Sequence, residues 1–147
     1  MNYKEYKQRR EAKKFFNQNN EYHMATLDIL KILLTAILVA FILAIFFEKI
    51  TTEIGISFTL FNVIIGDICG YACLKIAGFG SEKIGIIAAF GYFFGTILGL
   101  MMFYYLSLPS FISGFYCFKL ILSKISDLFY LCSMIIGMMI AYAIAKN

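Results

Sequence analysis

Long apolar runs alternate with short polar segments along the chain of 147 residues. A helix needs about 20 mostly apolar residues to cross a hydrocarbon core roughly 30 Å thick. Four runs meet this requirement and predict membrane spans at about 27–50, 55–75, 84–106 and 127–145. The pattern therefore predicts an all-α membrane protein. It would consist of a basic cytoplasmic tail at 1–26 and a four-transmembrane-helix bundle at 27–147.

The polar residues between the runs predict helix ends. In the connection "KIAGFGSEKIG", Gly78 and Gly80 can take left-handed conformations and Ser81 can cap the following helix, which predicts a tight turn. Acidic residues at the ends of the runs are expected to be solvated or to cap helices. These residues are Glu48, Glu53, Glu82 and Asp127.

The segment between the third and fourth runs has a different pattern. Pro109 ends the third run, and large apolar residues then recur at spacings of four and three, with Lys119 flanking their face and Lys124 opposite it. This spacing predicts an amphipathic helix at about 110–125 that lies in the outer membrane interface. A re-entrant lid is the alternative, and it is less favourable because its backbone would need protein partners.

Composition excludes a water-soluble domain. Apolar residues make up 61% of the chain and charged residues 15%, and the mean hydropathy is +0.80. Soluble domains are nearer half apolar and a quarter charged. Polar residues separate the basic N-terminus from the first apolar run, so we expect that run to be retained as an anchor and not cleaved as a signal peptide.

Basic residues predict the orientation of the spans. Ten of the 13 lysines and arginines fall in the N-terminal segment, the second connection and the C-terminus, and three fall on the opposite side. By the positive-inside rule, both termini are expected in the cytoplasm. High lysine, asparagine, isoleucine and phenylalanine usage indicates an AT-rich source, and we expect a multi-pass protein of the bacterial inner membrane.

The basic tail is a candidate lipid-binding segment. Six basic residues next to a membrane would attract anionic lipids by about 1 kcal/mol each. A docking arm for a protein partner is the alternative, whereas no motif indicates a nucleic-acid partner. The six residues are Lys4, Lys7, Arg9, Arg10, Lys13 and Lys14.

Small residues recur every four positions in the last three runs. In a bilayer such stripes let helix backbones approach closely, and close packing drives helix association. We expect the second, third and fourth spans to pack tightly, and the first span, with alanines at 36, 40 and 44, to join by a shallower seam. The same seams could also join subunits in a homo- or hetero-oligomer. The predicted packing positions are Gly66, Gly70, Gly91, Gly95, Gly99, Gly137 and Ala141.

Asp67 is the candidate ion or proton site. An aspartate within a span is costly to insert, by about 2.5–3.5 kcal/mol, and usually faces the bundle interior or a water-filled cavity. Asn62 lies about one and a half turns away and could share the site. A purely structural carboxylic acid, hydrogen-bonded to Tyr71, Tyr92 or Thr96, is the alternative.

Other chemistry has little support in the sequence. Cys69 and Cys73 are four residues apart, but no CxxC motif is present and the single histidine, His23, lies in the tail. No nucleophile has a base near it in the sequence pattern. We therefore predict no metal, no cofactor, no catalytic residue and no enzymatic activity.

Residues 63–95, "VIIGDICGYACLKIAGFGSEKIGIIAAFGYFFG", resemble small multi-span bacterial membrane proteins of unknown function. In those proteins a glycine-rich span, a short Lys/Gly turn and an Ala/Tyr-rich span follow one another. Many of them begin with a zinc ribbon, which this chain lacks. The resemblance implies a membrane location and no particular activity.

Two functions fit these patterns. The first is a non-enzymatic structural or assembly component of a membrane complex, with membrane lipids and other subunits as partners. The alternative is a small proton- or cation-linked transporter or channel that works as an oligomer through Asp67. A single four-helix bundle is too thin to enclose a wide pathway, so transport would require oligomerisation.

Overall fold

The computed structural model describes residues 8–9, 11–12, 15–16, 24–55, 60–107 and 114–147. Residues 8–9, 11–12 and 15–16 of the tail are helical, and five longer helices follow them. All regular secondary structure in the described ranges is helical, which confirms the predicted all-α class. The helices are α1 (Thr26–Ile54), α2 (Phe61–Ala77), α3 (Glu82–Ser107), α4 (Gly114–Ile125) and α5 (Leu128–Lys146).

Within the described ranges, α1, α3 and α5 are long and apolar enough to cross a membrane. This property is consistent with an integral membrane protein. The helix predicted at 55–75 corresponds to α2, which begins at Phe61, and residues 56–59 of that prediction lie outside the described residues. Gly55 adopts φ 71° and ends α1. With 17 residues, α2 is about 26 Å long, slightly shorter than a typical hydrocarbon core.

The helix ends follow the expected capping chemistry with one exception. Gly78 ends α2 at φ 74°, the Ile84 N–H donates to the Ser81 hydroxyl, and the Phe129 N–H donates to the Asp127 carboxylate. These contacts confirm three of the predicted turn and cap positions. The prediction for Gly80 was wrong, since its φ is not positive. Gly80 instead allows close approach, because a Cβ there would lie 2.6 Å from the Lys146 carbonyl oxygen.

The helices form two closely packed pairs. α1 packs most extensively on α3 and α2 packs on α5, while contacts between α3 and α5 join the pairs. α4 makes sparser contacts with α3 and α5. The first span was expected to join the bundle by a shallower seam than the other three. Instead, the contact between α1 and α3 is the most extensive in the bundle. We attribute this to the alanines of α1, whose methyl groups are small enough to fit against the glycines of α3.

The described start of α1, the α2–α3 turn and the C-terminus lie at one end of the bundle. Lys146 near the C-terminus pairs with Glu82 at the start of α3, at 2.8 Å. Asp28 of α1 and Phe79 of the turn line one cleft there. The opposite end carries the ends of α1 and α3, together with α4 and the start of α5.

Small side chains are buried between the helices and many large apolar side chains are exposed, which is the reverse of the usual distribution in a soluble protein. Ala36, Ala40 and Ala141 are fully buried, whereas Leu38 and Ile42 are 58% and 61% exposed. In water such an exposed apolar surface would be unfavourable, but lipid tails solvate it as well as they solvate each other. The small residues are thus used for helix contact, and the large ones are left facing outward.

Candidate functional site

The contact between α1 and α3 is built from small residues on both helices. A Cβ at Gly95 would lie 2.7 Å from the Ala40 Cβ, and one at Gly99 would lie 2.7 Å from the Ala44 Cβ. Gly91 meets the methyl group of Ala36 in the same way. Real Cβ atoms essentially never come within 3.0 Å of such neighbours. These three glycines therefore allow an interhelical distance that any side chain would prevent.

The contact between α2 and α5 uses the same principle. A Cβ at Gly70 would lie 2.7 Å from the Ala141 carbonyl oxygen, and Gly66 is pressed against the Gly137 backbone. Gly137 also receives the Tyr92 side chain of α3, whose Cζ would lie 2.9 Å from an added Cβ. All seven predicted packing positions thus contact other helices of the same chain. These grooves are therefore filled by other helices of the same chain.

Asn62 lies inside the bundle. It is 4% exposed, and its side-chain amide donates to the Ser133 hydroxyl of α5 at 2.9 Å. The Tyr92 hydroxyl of α3 donates to the Asn62 backbone carbonyl at 3.2 Å. Asn62 therefore joins three helices by hydrogen bonds, which is a structural role.

Asp67, in contrast, lies on the exposed side of α2 near its middle. The expectation that it faces the bundle interior was wrong. Within the described ranges it makes no hydrogen bond or ion pair, so it does not bond Tyr71, Tyr92 or Thr96. The physical reason is that the small residues of α2 occupy the inner face, and the Asp67 position falls beyond the edge of that stripe. Asp67 and Asn62 do not share a site.

The outer face of α2 combines polar and apolar side chains. Ile64 and Ile68 are 41% and 40% exposed, and Tyr71 is 61% exposed one turn after Asp67. Asp67, Tyr71 and Lys75 thus lie one helical turn apart on this surface, with the exposed isoleucines beside them. We define this outer face of α2 as Ile64, Asp67, Ile68, Tyr71 and Lys75.

A second polar cluster, which the sequence pattern did not predict, lies at the end of the bundle where α1 and α3 end. Glu48 of α1 is only 9% exposed and accepts a hydrogen bond from Lys124 of α4. The Tyr104 hydroxyl of α3 donates to the same carboxylate oxygen at 3.1 Å. The Lys124 ammonium lies 5.9 Å from the ring centroid of Tyr104 and 5.3 Å from that of Tyr130.

This cluster corrects two expectations. Glu48 is neither solvated nor a cap, and the Lys124 side chain turns into the bundle. The buried side of α4 carries Cys117 and Ile121, which are 2% and 4% exposed, whereas the predicted apolar side is exposed at Phe118, at 56%. The residues predicted to start this helix, 110–113, lie outside the described ranges, and α4 begins at Gly114.

A sequence signal for Glu48 was present. The buried positions of α1 are Ile32, Ala36, Ala40, Ala44 and Glu48, which all follow a spacing of four. Glu48 therefore continues the alanine stripe by one step, into the space between α3 and α4. A carboxylate that keeps the phase of a packing stripe is expected to be buried, and a buried carboxylate requires a partner.

Cys69 and Cys73 contribute to helix packing. The Cys69 thiol donates to the Ala36 carbonyl at 3.5 Å and the Cys73 thiol to the Ile32 carbonyl at 3.9 Å, so both side chains face α1. Both are fully buried. In the described part of the chain, no three His, Cys, Asp or Glu side chains lie close enough to hold a metal ion.

Little of the basic tail is described. Arg9 is exposed, and Lys4, Lys7, Arg10, Lys13 and Lys14 lie outside the described residues. The open cleft beside the start of α1, about 400 Å³ in volume, contains Asp28 and Lys31, which pair with each other at 3.4 Å. It presents no set of converging polar groups.

No known protein family, curated protein or solved structure matches the chain significantly.

Proposed function

We propose that the protein is a non-enzymatic membrane component that assembles with a second copy of itself through the outer face of α2. One observation carries this proposal: Asp67 lies exposed near the middle of α2, without a partner among the described residues. A carboxyl group that faces lipid at this depth costs about 2.5–3.5 kcal/mol. A protein contact that covers it would recover part of this cost.

The proposal includes α2 as a fourth membrane span. Its 17 residues are at the lower end of the length that can cross a bilayer, and Lys75 near its end can extend toward the headgroups. The chain would then pass the membrane four times. The two termini would lie on the same side, which the positive-inside rule assigns to the cytoplasm.

A second copy is a chemically suitable partner for this face. In a parallel, two-fold symmetric contact, two Asp67 carboxyl groups meet at the same depth, where a shared proton removes their repulsion. Helix side chains lean toward the helix N-terminus, so Tyr71 of one copy reaches toward Asp67 of the other. Ile64 and Ile68 supply apolar contact on both sides of this polar pair.

The test is the mass of the purified protein in lipid nanodiscs. We expect a dimer or larger oligomer for the unmodified chain and a monomer for Asp67→Leu, because leucine is solvated by lipid. Phe94→Leu, at an exposed position of α3, is the matched control and should leave the oligomer intact. A monomer for the unmodified chain, or an oligomer that Asp67→Leu does not change, would contradict the proposal.

Proton- or cation-linked transport by the oligomer is the second candidate, favoured by the same exposed carboxyl group. Because Asp67 lies outside the single bundle, its pathway would run between subunits. Asp67→Asn keeps the size and hydrogen-bonding capacity of the side chain. A folded, oligomeric Asp67→Asn protein that loses flux in proteoliposomes would favour transport over a purely structural role.

A further inference from the structure

The surroundings of the Lys124 ammonium have the composition of a cation-binding cage. The Glu48 carboxylate accepts its hydrogen bond, and the rings of Tyr104 and Tyr130 lie within 6 Å of the nitrogen. Aromatic faces attract cations over this range, and the attraction strengthens where water is excluded. Charge-assisted hydrogen bonds are also stronger than neutral ones. These three groups would hold any small ammonium ion in the same way.

The cage and its present occupant belong to different parts of the fold. Glu48, Tyr104 and Tyr130 lie on α1, α3 and α5, the three helices that are long enough to cross a membrane. Lys124 lies near the end of α4, which makes the sparsest contacts with the rest of the bundle. The binding groups are therefore held by the main scaffold, and the ammonium is supplied by a peripheral helix.

We propose that Glu48, Tyr104 and Tyr130 form a binding site for a small primary ammonium ion, and that Lys124 occupies this site as a tethered ligand. An amine from solution binds there by displacing Lys124, and with it the C-terminal end of α4. The site selects a protonated amine over a divalent metal cation, because the ammonium donates hydrogen bonds to Glu48 and lies near the tyrosine faces, whereas one carboxylate supplies too few oxygen ligands for the metal.

The size of the ligand follows from the lysine side chain. Lys124→Ala removes three methylene groups and the ammonium, which together correspond to n-propylammonium. It leaves Glu48 largely buried without its cation, and a buried charge without a partner is strongly destabilising. Added n-propylammonium should therefore restore the stability that Lys124→Ala removes. The proposal does not depend on assembly through α2.

The experiment measures the thermal unfolding midpoint in detergent micelles while n-propylammonium chloride replaces sodium chloride at constant ionic strength. We expect Lys124→Ala to unfold at a lower temperature than the unmodified chain and to recover saturably with the amine. The unmodified chain should bind the amine with an apparent affinity at least about tenfold weaker than that of Lys124→Ala. The reason is that the tethered lysine competes for the site at high effective concentration. Lys119→Ala, an exposed lysine of the same helix, is the control and should behave like the unmodified chain.

A third variant tests the role of the carboxylate. The double variant Glu48→Gln/Lys124→Ala should not respond to the amine, and n-propanol should not replace n-propylammonium in Lys124→Ala. If Lys124→Ala is unstable alone, it and Lys124→Ser are purified with the amine present throughout, and a monodisperse protein only in amine supports the site. No saturable recovery, an equal response of the double variant, or failure of both variants in amine would overturn the proposal.

Discussion

Gly91 of α3 lies directly against the methyl group of Ala36 on α1. The next nearest atoms to a Cβ at Gly91 would be the Ala36 Cα and the Ile37 nitrogen, both at 3.4 Å. The conflict at this position is therefore confined to a single methyl group. Such a contact can be tested by moving the methyl group from one helix to the other.

Gly91→Ala should destabilise the bundle, and Ala36→Gly in the same chain should restore most of the loss. Overpacking of this kind costs about 1–3 kcal/mol. The measurement is unfolding in mixed detergent micelles, followed by circular dichroism, for both single variants and the double variant. Additive losses would show that the two positions do not meet.

Gly95 provides the contrasting case on the same seam. A Cβ at Gly95 would lie 2.6 Å from the Ile37 carbonyl oxygen as well as 2.7 Å from the Ala40 Cβ. Because backbone cannot be removed, Ala40→Gly should not rescue Gly95→Ala. A complete rescue, measured in the same unfolding experiment, would mean that the α1 backbone lies farther away than the structure places it.

The Asn62–Ser133 hydrogen bond should contribute measurably to stability. Ser133→Ala removes the acceptor of the buried Asn62 amide, and interhelical hydrogen bonds in membranes contribute about 0.6–1.7 kcal/mol. Ser126→Ala is the control, because the Ser126 hydroxyl is exposed and bonds only its local backbone. Equal unfolding free energies for Ser133→Ala and the unmodified chain would contradict this interpretation.

Glu48 and Lys124 should be energetically coupled. Each single variant, Glu48→Leu or Lys124→Leu, leaves one charge in a largely buried position, with an expected cost of about 3 kcal/mol. The double variant should cost less than the sum, because it leaves no unpaired charge. A double-mutant cycle of unfolding free energies measures this coupling, and additivity would show that the pair is solvated.

The extents of the long helices were well predicted from hydropathy. The runs at 27–50, 84–106 and 127–145 correspond to α1, α3 and α5, because length and apolar composition determine both a span and its pattern. The second span was predicted to begin at residue 55, whereas the left-handed Gly55 ends α1 and α2 begins at Phe61. A hydropathy pattern contains no information on such a conformation.

The direction in which each polar side chain faces was harder to predict. The rule that ionisable groups in a membrane face the bundle interior or a water-filled cavity favoured an inward Asp67, although its helical phase lies beyond the small-residue stripe. The inner face of α2 is taken by Gly66, Cys69 and Gly70. Glu48 shows the opposite error, because its position at the end of a run suggested solvent exposure. In both cases the phase of the small-residue stripe was the better guide, since close backbone packing determines which side faces inward.

Cross-linking in membranes shows whether the outer face of α2 joins two copies of the chain. The background is Cys132→Ser, because Cys132 is the exposed cysteine among the four. Ile68→Cys on the outer face of α2 and Leu98→Cys on the exposed side of α3 are oxidised in native membranes. We expect disulfide-linked dimers for Ile68→Cys and almost none for Leu98→Cys. Equal cross-linking at both positions, or none at Ile68→Cys, would show that the outer face of α2 does not join the two copies.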